Sequence, residues 1–161
     1  MSRVDTVAEY NKAMDYAFSE GDTVVAERFL NGKEVTCGAF KAKNGIITLP
    51  PTEIISEGAF FDFAAKYEGK SQEITPARIS TEETKLVQNY TEKIYRILRL
   101  KSLARIDFII ENGQPILVEV NTTPGFSPAS IVPQQLACAG ISITDCFDQI
   151  LRCEFGHWYD D

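Results

Sequence analysis

Residues 103–125 read LARIDFIIENGQPILVEVNTTPG, and the way their two halves pair decides what the chain is. Leu103–Glu111 and Pro115–Asn121 are strand-like runs on either side of Asn112-Gly113, a pair whose tolerance of positive φ predicts a hairpin turn. Period-two alternation puts Arg105 and Asp107 on one face of the first strand, and Leu117, Glu119 and Asn121 on one face of the second. A two-residue turn at Asn112-Gly113 opposes Asp107 with Val118 and sends Glu119 to the other side of the sheet. A three-residue loop, Glu111-Asn112-Gly113 with Gly113 left-handed, opposes Asp107 with Leu117 and gathers the polar groups on one face. One residue of slip separates the two arrangements.

In the gathered register Asp107, Glu119 and Asn121 offer only oxygen ligands from adjacent strands, a donor set suited to Mg²⁺ or Mn²⁺. Arg105, one pleat away, is placed for a phosphate or a developing negative charge. The competing reading is an edge hairpin whose polar face meets water and whose Arg105 pairs with a carboxylate, since half-exposed strands alternate in this way. Two features weigh toward a site. Ile106, Phe108, Ile110, Val118 and Val120 fill the opposite face, and the polar strand runs straight into a Pro- and Gly-bearing loop, Thr122–Pro128.

Working outward, Thr6 with Glu9 forms a capping-box pattern ahead of Val7, Tyr10, Met14, Ala17 and Phe18 at helical spacing, and Gly21 stands at the C-cap position. Thr23–Leu30, Glu34–Ala42 and Ile46–Leu49 read as strands of an antiparallel meander with turns at Asn31-Gly32 and Asn44-Gly45. Residues 56–78 show no clean period and are expected to form a long functional loop. Ser80 and Glu83 open a second capped helix with Leu86, Val87, Tyr90, Ile94, Ile97 and Leu98 on its buried face, and helices follow near Ile131–Ala139 and Ser142–Cys153. Helix, meander, loop, helix, hairpin, helices is an α+β order: an antiparallel sheet flanked by helices, not a doubly wound parallel sheet.

The 161 residues fit one domain, and 44% hydrophobic with 24% charged residues is the balance of a folded chain. A net charge of −7 argues against a nucleic-acid partner, which needs a basic face. No apolar run approaches the roughly 18 residues of a membrane span, and no signal-peptide core follows Met1. Four cysteines without Cys-x-x-Cys spacing, and the single His157, make no zinc site; Cys138, Cys146 and Cys153 are expected as reduced core thiols in the cytoplasm. Neither the Walker nor the dinucleotide form of Gly-rich phosphate loop is present.

Arg105-Ile106-Asp107 and Glu119-Val120-Asn121-Thr122-Thr123-Pro124-Gly125, continued by Phe126 to Ser130, closely resemble the end of D-alanine–D-alanine ligases of the ATP-grasp superfamily. The resemblance runs from about Ser2 to Leu151. It implies that Asp107, Glu119 and Asn121 hold two Mg²⁺ or Mn²⁺ ions between the phosphates of ATP. Arg105 and the backbone N–H of Gly125 would stabilise a tetrahedral oxyanion, and Ser130 with the Ile131 amide would receive the carboxylate of the second D-alanine. Glu27, Arg28, Phe29 and Leu30, followed by Glu34, resemble the family's adenosine site. Gly58–Tyr67 resembles its ω-loop, a lid in which Lys66 approaches the γ-phosphate and Tyr67 locks the closed state; that pair favours D-alanine as acceptor.

The resemblance further implies a parent enzyme of about twice this length that makes the D-Ala-D-Ala dipeptide of peptidoglycan in the cytoplasm and is a homodimer. Met1 is then expected to mark a cut just after a Gly-Ser-Ser-rich loop. Residues 1–155 would be the larger, C-terminal ATP-grasp lobe and 156–161 a tail, and this piece, lacking the phosphate lysines and the first D-alanine site, is expected to be monomeric and inactive or nearly so. Two alternatives remain: another carboxylate–amine ligase of the superfamily, such as one joining D-alanine to D-lactate, and a non-catalytic nucleotide- or divalent-ion-binding module.

Overall fold

The computed structural model describes residues 2–56 and 71–156, which fall into two compact units. The first comprises residues 1–30 and 56–71. Its helix α1 (Val7–Glu20) begins as the capping box requires: the Thr6 hydroxyl accepts from the Glu9 N–H, the Glu9 carboxylate accepts from the Thr6 N–H, and Gly21 ends the helix. None of its residues is buried; Val7, Tyr10 and Phe18 are exposed. The expected strand Thr23–Leu30 does not form, and the segment is an irregular, largely exposed stretch. Its Val24-Val25 pair has β propensity, but among the described residues no neighbouring strand supplies a ladder, and propensity alone does not hold a strand.

The second unit, residues 31–55 and 72–161, carries a six-stranded sheet. Its strands are β1 (Lys33–Ala42), β2 (Gly45–Thr48), β3 (Thr52–Ser56), β4 (Ser71–Ile74), β5 (Leu103–Glu111) and β6 (Gln114–Asn121). The order is β4-β3-β1-β5-β6, with β2 also on β1. The first strands therefore do not form a simple meander. β2 and β3 both pair antiparallel with β1, through Ala39–Ala42 and Glu34–Thr36 respectively, and leave Cys37-Gly38 between them without a strand partner on that edge. The stretch 56–78, read as one irregular loop, contains β4, which pairs with β3 at the edge of the sheet. The β1–β2 turn is Lys43-Asn44, one residue earlier than the Asn-Gly pair suggests, because Gly45 already pairs with Ala42.

Helix α2 (Thr81–Ile97) starts with the expected Ser80–Glu83 capping box. It buries Val87, Thr91 and Tyr95; Tyr90, Ile97 and Leu98 are exposed, because a stripe at i, i+4 and i+8 meets the sheet rather than the wider face read from the sequence. Helices α3 (Ile131–Cys138) and α4 (Ile143–Phe155) match expectation. Val87 of α2 packs with Val35, Cys37, Ile106 and Phe108 on one face of the sheet. Val132 and Leu136 of α3, with Cys146 and Ile150 of α4, pack with Phe40, Ala42 and Leu103 on the other. β1 is thus covered on both faces, which is why it lacks the alternation of a half-exposed strand. Burial pushes the Cys37 thiol up to about 12 and that of Cys146 up to about 11, so both stay protonated; Cys138, expected in the core, is exposed at the end of α3.

Glu53 of β3 is 4% exposed and ties that strand to the chain following β4. Its carboxylate accepts from Arg78 Nε at 2.8 Å, Arg78 Nη2 at 3.1 Å and the Arg78 backbone N–H at 3.2 Å, with Lys33 Nζ at 3.6 Å. These hydrogen bonds hold its pKa below the ordinary carboxylate value against the opposing effect of burial. A depressed folded pKa contributes stability that is complete above the unfolded value, about 4.3, and is lost as pH falls through the folded one. We predict that Glu53→Gln lowers the melting temperature at pH 7 and that the gap from wild type narrows below about pH 4.3; a pH-independent gap in thermal melts would refute this.

Candidate active site

The hairpin β5–β6 settles the register by a route the sequence reading did not contain. The turn is the two-residue Asn112-Gly113, both with positive φ (54° and 75°), and Glu111 opposes Gln114. That turn alone would place Glu119 across the sheet from Asp107. The ladder instead shifts by one residue between Asp107 and Phe108, so that Phe108 opposes Leu117, Asp107 opposes Glu119 and Arg105 opposes Asn121. Val118 is the extra residue of a β-bulge. Asp107, Glu119, Arg105 and Asn121 consequently share a face, whereas Leu117 goes with Phe108 and Val118, expected to fill the apolar face, is 54% exposed.

The centre of this face is a hydrogen-bonded carboxylate. Arg105 donates to Asp107 through Nε–Oδ1 and Nη2–Oδ2, both 2.9 Å, and the two side chains are 15% and 14% exposed. Asn121 Nδ2 donates to Oδ2 at 3.0 Å, and Thr36 Oγ1 of β1 donates to Oδ1 at 2.5 Å. Burial works against the Arg105 cation, but the Asp107 hydrogen bonds and the charges of Asp107, Glu119 and Glu73 outweigh it and raise its pKa above the ordinary value. A bidentate pair of this kind fixes the guanidinium plane.

Two carboxylates and one amide on adjacent strands make a hard-oxygen donor set, and with its Nδ2 on Asp107, Asn121 keeps its carbonyl oxygen for another partner. This chemistry fits Mg²⁺ or Mn²⁺, with Arg105 as the cation that balances Asp107 in the metal-free protein. Among the described residues no group of three or more His, Cys, Asp and Glu side chains forms a metal cage.

Beyond β6 the chain enters the loop before α3. Ser130 is the N-cap of α3 but makes no side-chain cap bond; its Oγ accepts from the Ser127 N–H at 3.0 Å and lies 2.9 Å from Ser127 Oγ. A Cβ on Gly125 would lie 3.1 Å from that same Ser130 Oγ, so the loop closes tightly here. Ile131 is the first residue of α3. Glu34 sits in β1 opposite Ile54 and Ile109. In the first unit Arg3 stacks on the Phe29 ring, 4.3 Å from its centroid; Arg28 Nη1 reaches the Phe29 carbonyl at 3.5 Å, and Glu27 and Phe29 line a cavity of about 490 Å³ with Tyr10, Met14 and Ala17. Leu30 closes that segment half-buried. Lys66, Tyr67 and His157 lie outside the described residues.

Sequence reasoning missed three participants. Thr36 stands in a run buried on both faces, where nothing distinguishes a hydroxyl aimed at a carboxylate from one facing a helix. Glu73, in the stretch read as a loop, accepts from Gln134 Nε2 at 3.0 Å and adds its charge to the field at Arg105. Gln135 is a fully buried polar side chain; an amide at a core position of an apolar helix was the available signal.

Comparison with known proteins gives one consistent picture. The family model "D-ala D-ala ligase C-terminus" matches residues 1–152. The chain is 47% identical over 152 residues to the D-alanine–D-alanine ligase of Porphyromonas gingivalis, covering 94% of this chain and 46% of that protein. With that of Christiangramia forsetii the identity is 50%, over 94% of this chain and 47% of that protein. The chain thus spans about half the length of these curated relatives. Among solved structures, the D-alanine–D-alanine ligase of Bacillus anthracis shares a TM-score of 0.73 at 30% identity, covering 91% of this chain and 48% of that one. The VanG D-Ala:D-Ser ligase of Enterococcus faecalis shares 0.77 at 33% identity, covering 91% and 43%.

Proposed function

Because this chain belongs to the D-alanine–D-alanine ligase family, as the match to its C-terminal model over residues 1–152 establishes, we propose that it supplies the ATP-grasp lobe of an ATP-dependent ligase that joins two D-alanines. In this reading ATP phosphorylates the carboxylate of the first D-alanine, the amine of the second attacks the acyl phosphate, and phosphate leaves. Asp107, Glu119 and Asn121 would hold Mg²⁺ or Mn²⁺. Bound there, the ion neutralises charge on the transferring phosphoryl group. Arg105, fixed in plane by Asp107, turns its remaining N–H groups toward the oxyanion of the tetrahedral intermediate, with the Gly125 N–H as second donor. The Ser130 hydroxyl and Ile131 N–H receive the acceptor carboxylate at the start of α3, where unsatisfied amides and the helix dipole favour an anion. The family resemblance assigns the adenosine to Glu27, Arg28, Phe29, Leu30 and Glu34, and the lid roles to Lys66 and Tyr67.

The observation that carries the proposal is the shared face of Arg105, Asp107, Glu119 and Asn121, brought about by the bulge at Val118. The expected product in a cell is the D-Ala-D-Ala unit of peptidoglycan, made in the cytoplasm; no described helix is long and apolar enough to cross a membrane. The structural likeness to a D-Ala:D-Ser ligase makes acceptor choice the point to test. The ligase carrying this chain, given ATP, Mg²⁺ and D-alanine with D-alanine, D-serine or D-lactate as acceptor, is expected to form the D-Ala-D-Ala dipeptide with the highest kcat/KM. Nucleotide binding with neither ATP turnover nor any condensation product would sink the ligase reading in favour of a non-catalytic nucleotide-binding module, and preference for D-lactate would move it to the depsipeptide-forming relatives.

A further inference from the structure

We propose that Gln135 is a positioning residue that locks the acceptor-binding end of α3 to the strand orienting Asp107. This inference rests on the ligase reading above. β1 is bonded by β3 as far as Thr36 and by β2 from Ala39 onward, and the edge between them has no strand beside it. The Gln135 side-chain amide fills that gap as a neighbouring peptide would. Its Oε1 accepts from the Gly38 N–H at 2.9 Å, and its Nε2 donates to the Thr36 carbonyl at 2.9 Å and to Thr52 Oγ1 at 3.1 Å. The side chain is fully buried, so no water replaces these bonds when it is removed. Apolar contacts of Val132 and Leu136 hold α3 against the sheet but tolerate small slides and rotations; three directed hydrogen bonds do not.

The anchor point is chosen tightly. Thr36, whose carbonyl Gln135 holds, is the residue whose hydroxyl donates to Asp107 Oδ1. Ser130 and Ile131 stand at the start of the same short helix, about one turn before Gln135. One amide therefore sets the separation between the acceptor carboxylate site and the Arg105–Asp107 centre. Gly38 has no room for a side chain, since its Cβ would lie 2.6 Å from Gln135 Oε1 and 2.9 Å from Leu49 Cδ1. The contact therefore depends on bare backbone.

The test is steady-state kinetics of the ligase carrying this chain, with Gln135→Met and Gln135→Glu. Met keeps the length and removes every polar bond, while Glu keeps an acceptor for the Gly38 N–H and so serves if the Met variant fails to fold. Displacement of α3 raises the KM for the acceptor D-alanine about tenfold, leaves the KM for ATP within about twofold, and gives Glu the smaller effect. A lower melting temperature with kcat reduced and the acceptor KM unchanged means Gln135 only stabilises the fold, and overturns the proposal. A wild-type enzyme that forms no dipeptide overturns the ligase reading itself, and the two failures are thereby distinct.

Discussion

Asp107→Asn is expected to reduce turnover of the ligase carrying this chain by about 10³-fold, the largest effect of any single substitution on this face. The carboxylate does two things that an amide of the same shape cannot. It accepts four hydrogen bonds, from Arg105 twice, Thr36 and Asn121, which orient the guanidinium. It also brings the negative charge that the proposed divalent cation would need from β5. An Asn here presents an NH₂ group to Arg105, which has only donors to offer, and leaves a cation that is 15% exposed without its counter-ion. Loss of the buried pair should also cost about 3 kcal/mol of stability, reduced by the remaining charges of Glu119 and Glu73 near Arg105. Urea unfolding separates the two effects: a folded variant with turnover within tenfold of wild type would remove Asp107 from the chemistry.

The second large effect lies away from that centre. Gly32→Ala should destabilise the chain by about 3 kcal/mol, although Gly32 itself is exposed. A Cβ built on Gly32 lies 2.1 Å from the Ile110 carbonyl oxygen, 2.7 Å from its carbon and 2.9 Å from Ile109 Cγ2. The first two belong to backbone in the terminal pair of the β1–β5 ladder, Lys33 opposite Ile110, which has no rotamer to change, so β1 and β5 must separate at this end. A melting temperature within about 2 °C of wild type would show that the strand end yields freely, against this account.

The same residue shows where sequence reading succeeds and where it stops. Asn31-Gly32 has the composition of a hairpin turn, yet its glycine is there for close approach to β5, a tertiary fact that no local pattern encodes. Capping boxes at Thr6 and Ser80, the span of β5 and the starts of α3 and α4 were legible because their causes lie within four residues of chain. β3 and β4 were not, since each is four or five residues long and takes its stability from neighbours distant in sequence. The grouping of Arg105, Asp107, Glu119 and Asn121 followed from their types, and the gathered facing was one of two options weighed. The device that produces it was not foreseen, because Val118 differs in no local property from Val120. Thr36 and Gln135 stayed hidden for a related reason: their importance lies in where their hydrogen bonds point, the Thr36 hydroxyl to Asp107 and the Gln135 amide to Gly38, Thr36 and Thr52.

The extra residue in β6 has a consequence for how this region can change over time. Facing along a strand is a matter of odd or even count, and here the count is corrected at Val118, between the hairpin tip and the reactive groups. The tip at Asn112-Gly113 keeps the tightest available turn, while parity is restored closer to where it matters. A substitution at the tip that keeps the two-residue turn therefore leaves the facing of Asp107 and Glu119 unmoved.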